Sequence, residues 1–268
     1  MNESLRTTLR TLRLSGLAES LDVRLQEAAS HGLNHEEFLE LILQDELAVR
    51  ANRLMGRRVR AADFKEAKTI EDFDFAFNPS IKQKQIYDRA TCRFVREARS
   101  ILWLGPPGTG KSHLCQAIGY QAIKAGHTVL YRSIFDLIRD FLHDEALGGD
   151  EKILGRYLRP DLLIVDDMGM KNLPKRSGEY LFEIIMRRHE VRSTMMTSNR
   201  PLEDWGKLLG DVPSATAILD RFLQHAEIVT ITGKSYRLKG RGKDETGKDQ
   251  NPGKPKNDGN PAGQDSPE

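Results

Sequence analysis

Apolar positions recur at helical spacing through residues 1–65. Leu5, Leu9 and Leu12 fall at i, i+4 and i+7, and Leu14, Leu17, Leu21 and Leu25 continue the stripe. Asn34, with Glu37 three residues on, predicts a helix N-terminus ahead of Phe38, Leu41, Ile42 and Leu47. A connector over residues 66–80 carries Phe73, Phe75 and Phe77 and is broken by Pro79. From 81 to 238 the pattern becomes short apolar runs alternating with helical stretches. Strands are predicted over 101–104, 128–131, 162–165, 194–198 and 227–232. Helices are predicted over 112–124, 179–192 and 215–225, the first closed by Gly126, and another behind Ser133 carries Ile134, Leu137, Ile138 and Phe141. Strands separated by helices give an α/β core with a central parallel sheet covered on both faces, here preceded by a small all-helical N-terminal domain. Residues 239–268 have no aliphatic side chain larger than that of Ala262 and are expected to be disordered.

Composition narrows the class. The chain has 268 residues, 38% hydrophobic and 30% charged, which reads as soluble and globular. Its first 13 residues are polar and arginine-rich, unlike a signal peptide, and no run approaches the ~20 apolar residues of a membrane span. Cys92 and Cys115 are too few for a disulfide framework and too far apart for a zinc knuckle, so free thiols in a reducing cytosol are expected. The net charge of +2 says little, but its distribution says more. Arg6, Arg10 and Arg13 are spaced to share one helix face. Arg50, Arg53, Arg57, Arg58 and Arg60 form a denser cluster interleaved with Leu54, Met55 and Val59, with Asp45 and Glu46 beside it. Such rows suit phosphate contacts, which bind duplex DNA largely without regard to sequence.

The chemistry concentrates in 81–238. Gly105, Pro106, Pro107, Gly108, Thr109, Gly110, Lys111 and Ser112 match the P-loop pattern in full, between a predicted strand and a predicted helix. Backbone N–H groups of such a loop cradle phosphate oxygens at the positive end of a helix. Lys111 supplies a point charge to the β- and γ-phosphates of ATP, and Ser112 a hydroxyl to Mg²⁺. The strand 162–165 ends in Asp166 and Asp167. Asp166 suits a metal-holding role; Asp167 would orient or deprotonate the attacking water. Asn199, in Thr197-Ser198-Asn199-Arg200, is placed for the γ-phosphate or the lytic water. Arg221, in Asp220-Arg221-Phe222-Leu223, is too far along the chain to belong to the P-loop and suits an arginine finger reaching a neighbouring subunit. Arg237, in Lys234-Ser235-Tyr236-Arg237, is a candidate nucleotide contact within the same subunit.

These motifs, in this order and spacing, resemble the AAA+ P-loop NTPases of the helicase-loader clade, and within it the IstB-like ATP-binding proteins encoded by insertion sequences. The segments Leu12-Arg13-Leu14-Ser15-Gly16-Leu17-Ala18 and Phe73-Asp74-Phe75 add to the likeness, which spans roughly residues 5–240. The resemblance implies a sheet with the P-loop strand in its centre. It also implies an ATPase that forms homo-oligomers on duplex DNA, helps select the target site and stimulates a DDE transposase, in the bacterial cytoplasm at the nucleoid. Many AAA+ relatives carry glutamate where Asp167 stands. The shorter side chain leads us to expect slow hydrolysis, or hydrolysis dependent on assembly and a partner. A replicative helicase loader shares the same core and is the alternative; a small-molecule kinase would leave Asn199 and Arg221 without a purpose.

Overall fold

The computed structural model describes residues 2–148, 152–170, 173–210 and 212–238. The segment 239–268, expected to be disordered, lies outside them. Helix α1 (Glu3–Thr11) starts where the Asn2 side chain accepts the Ser4 N–H at 3.0 Å. Arg13 then takes a left-handed conformation (φ 57°) and turns the chain into α2 (Ser15–His31), which Gly32 closes at φ 65°. The expected capping box of Asn34 and Glu37 opens α3 (His35–Ala62).

The turn at Arg13 changes two sequence-based expectations. The leucine stripe is not continuous: Leu9 and Leu21 bury against Ile42, Leu14, Leu17 and Phe38, whereas Leu5, Leu12, Leu25 and Leu47 stay exposed. Arg13 also leaves the face shared by Arg6 and Arg10, because α1 has already ended. Helices α2 and α3 approach closely at Gly16, where a Cβ would stand 2.8 Å from that of Val49. Arg24 clamps them with two bonds of 2.8 Å to Asp45.

Two helices not read from the sequence follow the connector, α4 (Gln83–Ala90) and α5 (Arg93–Arg96). The α/β core then runs β1 (Ser100–Leu104), α6 (Lys111–Lys124), β2 (Val129–Ser133), α7 (Ile134–Ala146), α8 (Lys152–Leu158), β3 (Leu162–Met168), α9 (Ser177–Arg188), β4 (Ser193–Ser198), α10 (Trp205–Leu209), α11 (Val212–Gln224) and β5 (Ala226–Thr230). Ser133 caps α7 as expected, accepting the Asp136 N–H. Helix α9 is shorter than predicted: it stops at Arg188, and Glu190 sits at φ 58° in the turn into β4.

The five strands pair in parallel in the order β2-β3-β4-β1-β5. The P-loop strand β1 is therefore flanked on both sides but is not the middle strand, which is β4. Alternate side chains enter opposite layers. Leu102, Leu163, Val165 and Met196 pack under α7, α9, α10 and α11. Ile101, Trp103, Leu162, Ile164 and Met195 pack under α6, together with Met55, Val59 and Ala62 from the last turns of α3. The helix bearing the arginine cluster is thus rooted in the core. Parallel strands also bring the C-terminal ends of β1, β3 and β4 to one edge of the sheet, where ligands of open α/β folds bind.

Candidate nucleotide-binding site

A cleft of 520 Å³ opens at that edge. Pro107 through Ser112 line it, together with Asp166, Asp167, Asn199 and Arg237. Gly105 and Pro106 lie beneath it and present their carbonyls to Lys111 Nζ at 2.6 and 2.7 Å. The loop needs its glycines for two reasons. Gly108 and Gly110 have φ of 79° and 104°, in the left-handed region. A Cβ at Gly108 would lie 2.0 Å from Ser235 Oγ, and one at Gly110 would lie 2.5 Å from the Phe73 ring. Helix α6 begins at Lys111, so its first N–H groups face the cleft. Burial pulls the Lys111 ammonium from 10.5 down to about 8, against the opposing pull of Asp166.

Asp166 is buried and accepts three hydroxyl bonds: from Ser112 at 3.0 Å, from Tyr131 at 2.5 Å, and from Thr197. These donors come from α6, β2 and β4 and hold the carboxylate in one orientation. Burial, and then the neighbouring Asp166 charge, raise the Tyr131 phenol, which stays protonated and donating. Thr197 Oγ1 also accepts the Asp167 N–H at 3.1 Å. The ladder between β3 and β4 is irregular between Val165 and Met168, and Asp167 stands at φ 65°. This bulge lets adjacent carboxylates differ: Asp166 is enclosed, while Asp167 is partly exposed at the mouth of the cleft. An oxygen-only pair, the Ser112 hydroxyl and the Asp166 carboxylate, fits a hard cation such as Mg²⁺.

The connector and the residues just before it supply contacts that motif spacing did not reveal. Lys65 reaches Asp167 Oδ2 at 3.3 Å. Phe73 meets His113 edge-on and closes over Gly110. The Asn78 amide donates to the Thr109 carbonyl at 3.5 Å, and Phe77 packs edge-on against Tyr236. Tyr236 donates its backbone N–H to Gly108 at 2.9 Å, which brings Arg237 into the cleft of its own subunit. Asn199 is held by its N–H to the Met168 carbonyl at 2.9 Å. Arg221, by contrast, lies outside the cleft, exposed on α11, and makes no ion pair among the described residues.

The N-terminal arginines divide. Arg50 pairs with Glu46 within α3 at 2.6 Å, and Arg53 reaches across to Glu19 of α2 at 3.2 Å. Arg6, Arg10, Arg13, Arg57 and Arg60 are exposed, and Arg58 is half-buried.

The family model described as IstB-like ATP binding protein matches residues 7–244. The chain belongs to this IstB-like family. Among its relatives, one named as an ATP-binding protein of insertion sequence IS5376 from Geobacillus stearothermophilus is 35% identical over 89% of this chain and 95% of its own. Another, so named for IS21 of Pseudomonas aeruginosa, is 37% identical over 88% and 89%. DnaA from Aquifex aeolicus, solved with AMPPCP, superposes with a TM-score of 0.54 at 24% identity, over 66% of this chain and 54% of that one. DnaI gives a TM-score of 0.50 at 25% identity, over 63% and 89%. The IstB-like core is thus an AAA+ P-loop fold that carries a helical N-terminal region. No helix among the described residues is long and apolar enough to cross a membrane.

Proposed function

We propose that this protein is an ATP-hydrolysing transposition helper, one that oligomerises on duplex DNA, selects the target and stimulates a partner DDE transposase. The observation that carries the proposal is the path of the chain. Helix α3, with its arginines, leads through Lys65 into a connector carrying Phe73, and both residues form part of the nucleotide cleft. Nucleotide state and the arginine-bearing helix therefore share one covalent strut. Relatives named for insertion sequences support the transposition setting.

Within the cleft, backbone N–H groups of Gly108–Ser112 and the Lys111 ammonium bind the phosphates of ATP. Ser112 and Asp166 would hold a magnesium ion, which when bound would neutralise phosphate charge. Asp167 takes a proton from the attacking water, and Asn199 orients the water or the γ-phosphate. Arg237 contacts nucleotide from the same subunit. Arg221 completes the site of the next subunit, a role supported by its exposure outside its own cleft. ATP then drives assembly, assembly aligns Arg6, Arg10, Arg13, Arg57, Arg58 and Arg60 along the DNA backbone, and hydrolysis resets the oligomer.

Light scattering with ATP or ADP, each with and without random-sequence duplex, tests this. Large assemblies only with ATP and duplex are expected. Assembly indifferent to duplex would overturn the DNA-scaffold role.

A further inference from the structure

At the edge of the sheet opposite the nucleotide cleft, the turns into β4 and β5 meet. His189 caps the C-terminus of α9, Glu190 follows it, and His225 lies between α11 and β5. Their ligand atoms all lie within 4.8 Å of one another. His225 Nε2 stands 2.8 Å from Glu190 Oε1, and His189 Nε2 stands 3.8 Å from the same oxygen. The two imidazole rings are 5.2 Å apart.

We propose that His189, Glu190 and His225 form a binding site for a divalent transition-metal ion of the zinc class. Two imidazoles and one carboxylate are donors that Zn²⁺ accepts, whereas Mg²⁺ prefers oxygen alone. Tetrahedral bonds of ~2.0–2.1 Å place donor atoms about 3.3 Å apart. The present separations bracket that value, so side-chain adjustments of at most about 1.5 Å close the site. A surface ion pair between His225 and Glu190 accounts for one contact but not for the second imidazole converging on the same oxygen. The backbone contributes as well. Glu190 at φ 58° ends the helical path, so consecutive residues 189 and 190 can both reach His225. His189 is largely buried, while Glu190 is 62% exposed, which leaves room for water at an open coordination position. An ion bound here adds a tie between the ends of α9 and α11, two helices that already pack against each other in the core.

The test uses the full chain without a histidine tag, stripped of metal and nucleotide, in excess Mg²⁺. One equivalent of Co²⁺ per chain is expected to give a visible d–d band, displaced by Zn²⁺, and Zn²⁺ should raise the thermal midpoint. Glu190→Gln and His225→Gln should each weaken Zn²⁺ binding by at least about 10–100-fold, the loss that even outer-shell partners of ligands produce. They should also abolish the thermal shift, whereas His143→Gln, at a remote exposed histidine, keeps both. Absence of stoichiometric binding, or binding unchanged in both variants, would overturn the site.

Discussion

Lys65, three residues beyond the end of α3, holds its ammonium 3.3 Å from a carboxylate oxygen of Asp167. The carboxylate proposed to act on water is thus tied to the segment that carries the arginine cluster. Both side chains are partly exposed, so the pair is worth about 0–1 kcal/mol. Asp167 must leave that pair to accept a proton. Lys65→Met is therefore expected to raise DNA-free turnover by up to about fivefold, with nucleotide affinity nearly unchanged. A steady-state ATPase assay beside a nucleotide titration decides it. A tenfold loss of affinity would make Lys65 a phosphate ligand instead.

Lys111 gives a pH signature. Its ammonium titrates at about 8 in the folded protein, against 10.5 for an ordinary lysine. Between these values the unfolded chain binds more protons, so nucleotide-free protein gains stability as pH rises, by up to about 1.4 kcal/mol per unit. Phosphates of bound ATP favour the charged form and reverse the effect. ATP affinity should then fall as pH rises above 8, and binding at pH ~8.5 should take up a proton. Calorimetry in buffers of different ionisation enthalpy measures that uptake, and proton release would contradict it.

Arg221→Ala separates the shared site from the single-chain site. Because Arg221 lies outside its own cleft, nucleotide affinity of the isolated subunit should hold within about twofold. Turnover in the assembled state should drop by about 10³-fold, the scale of an arginine finger. ATP-driven growth in light scattering should be lost as well. Intact turnover and assembly would refute the role in trans.

Arg188 makes a stability prediction. Buried at the end of α9, it donates to the carbonyls of Tyr157, Pro160 and Ser193 at 2.9, 2.9 and 2.5 Å and to Thr194 Oγ1 at 3.0 Å. Arg188→Met would strand these acceptors and is expected to cost about 3–5 kcal/mol, with part of the loss offset by water entering the gap. The urea midpoint of unfolding should fall accordingly, and a change under about 1 kcal/mol would show that the acceptors find other partners.

Local chemistry was legible in the sequence, and long-range approach was not. The P-loop is contiguous because one turn must aim several N–H groups at one phosphate, so Gly105 to Ser112 stand together. Asp166 and Asn199 could be placed because parallel strands end at a common edge. Tyr131 and Lys65 could not: they reach the two carboxylates from 35 and 102 residues away through packing, with no periodic signal. Arg13 misled because helical spacing runs on smoothly across a turn that a single left-handed residue creates. Helices α4, α8 and α10 are short and carry too few apolar repeats for the period to register.

Phe73, folded over the P-loop, has one more consequence. A boundary drawn at residues 66–80 looks like a place to cut or to graft another N-terminal region. Yet that segment is a wall of the nucleotide cleft, through Phe73 against Gly110 and Asn78 against Thr109. A core trimmed at residue 80 would lose this wall, and a chimera would inherit its contacts to the P-loop from the donor of the N-terminal half. In this architecture the helical region and the nucleotide-binding core are exchangeable only as a matched set, and divergence in one constrains the nucleotide site of the other.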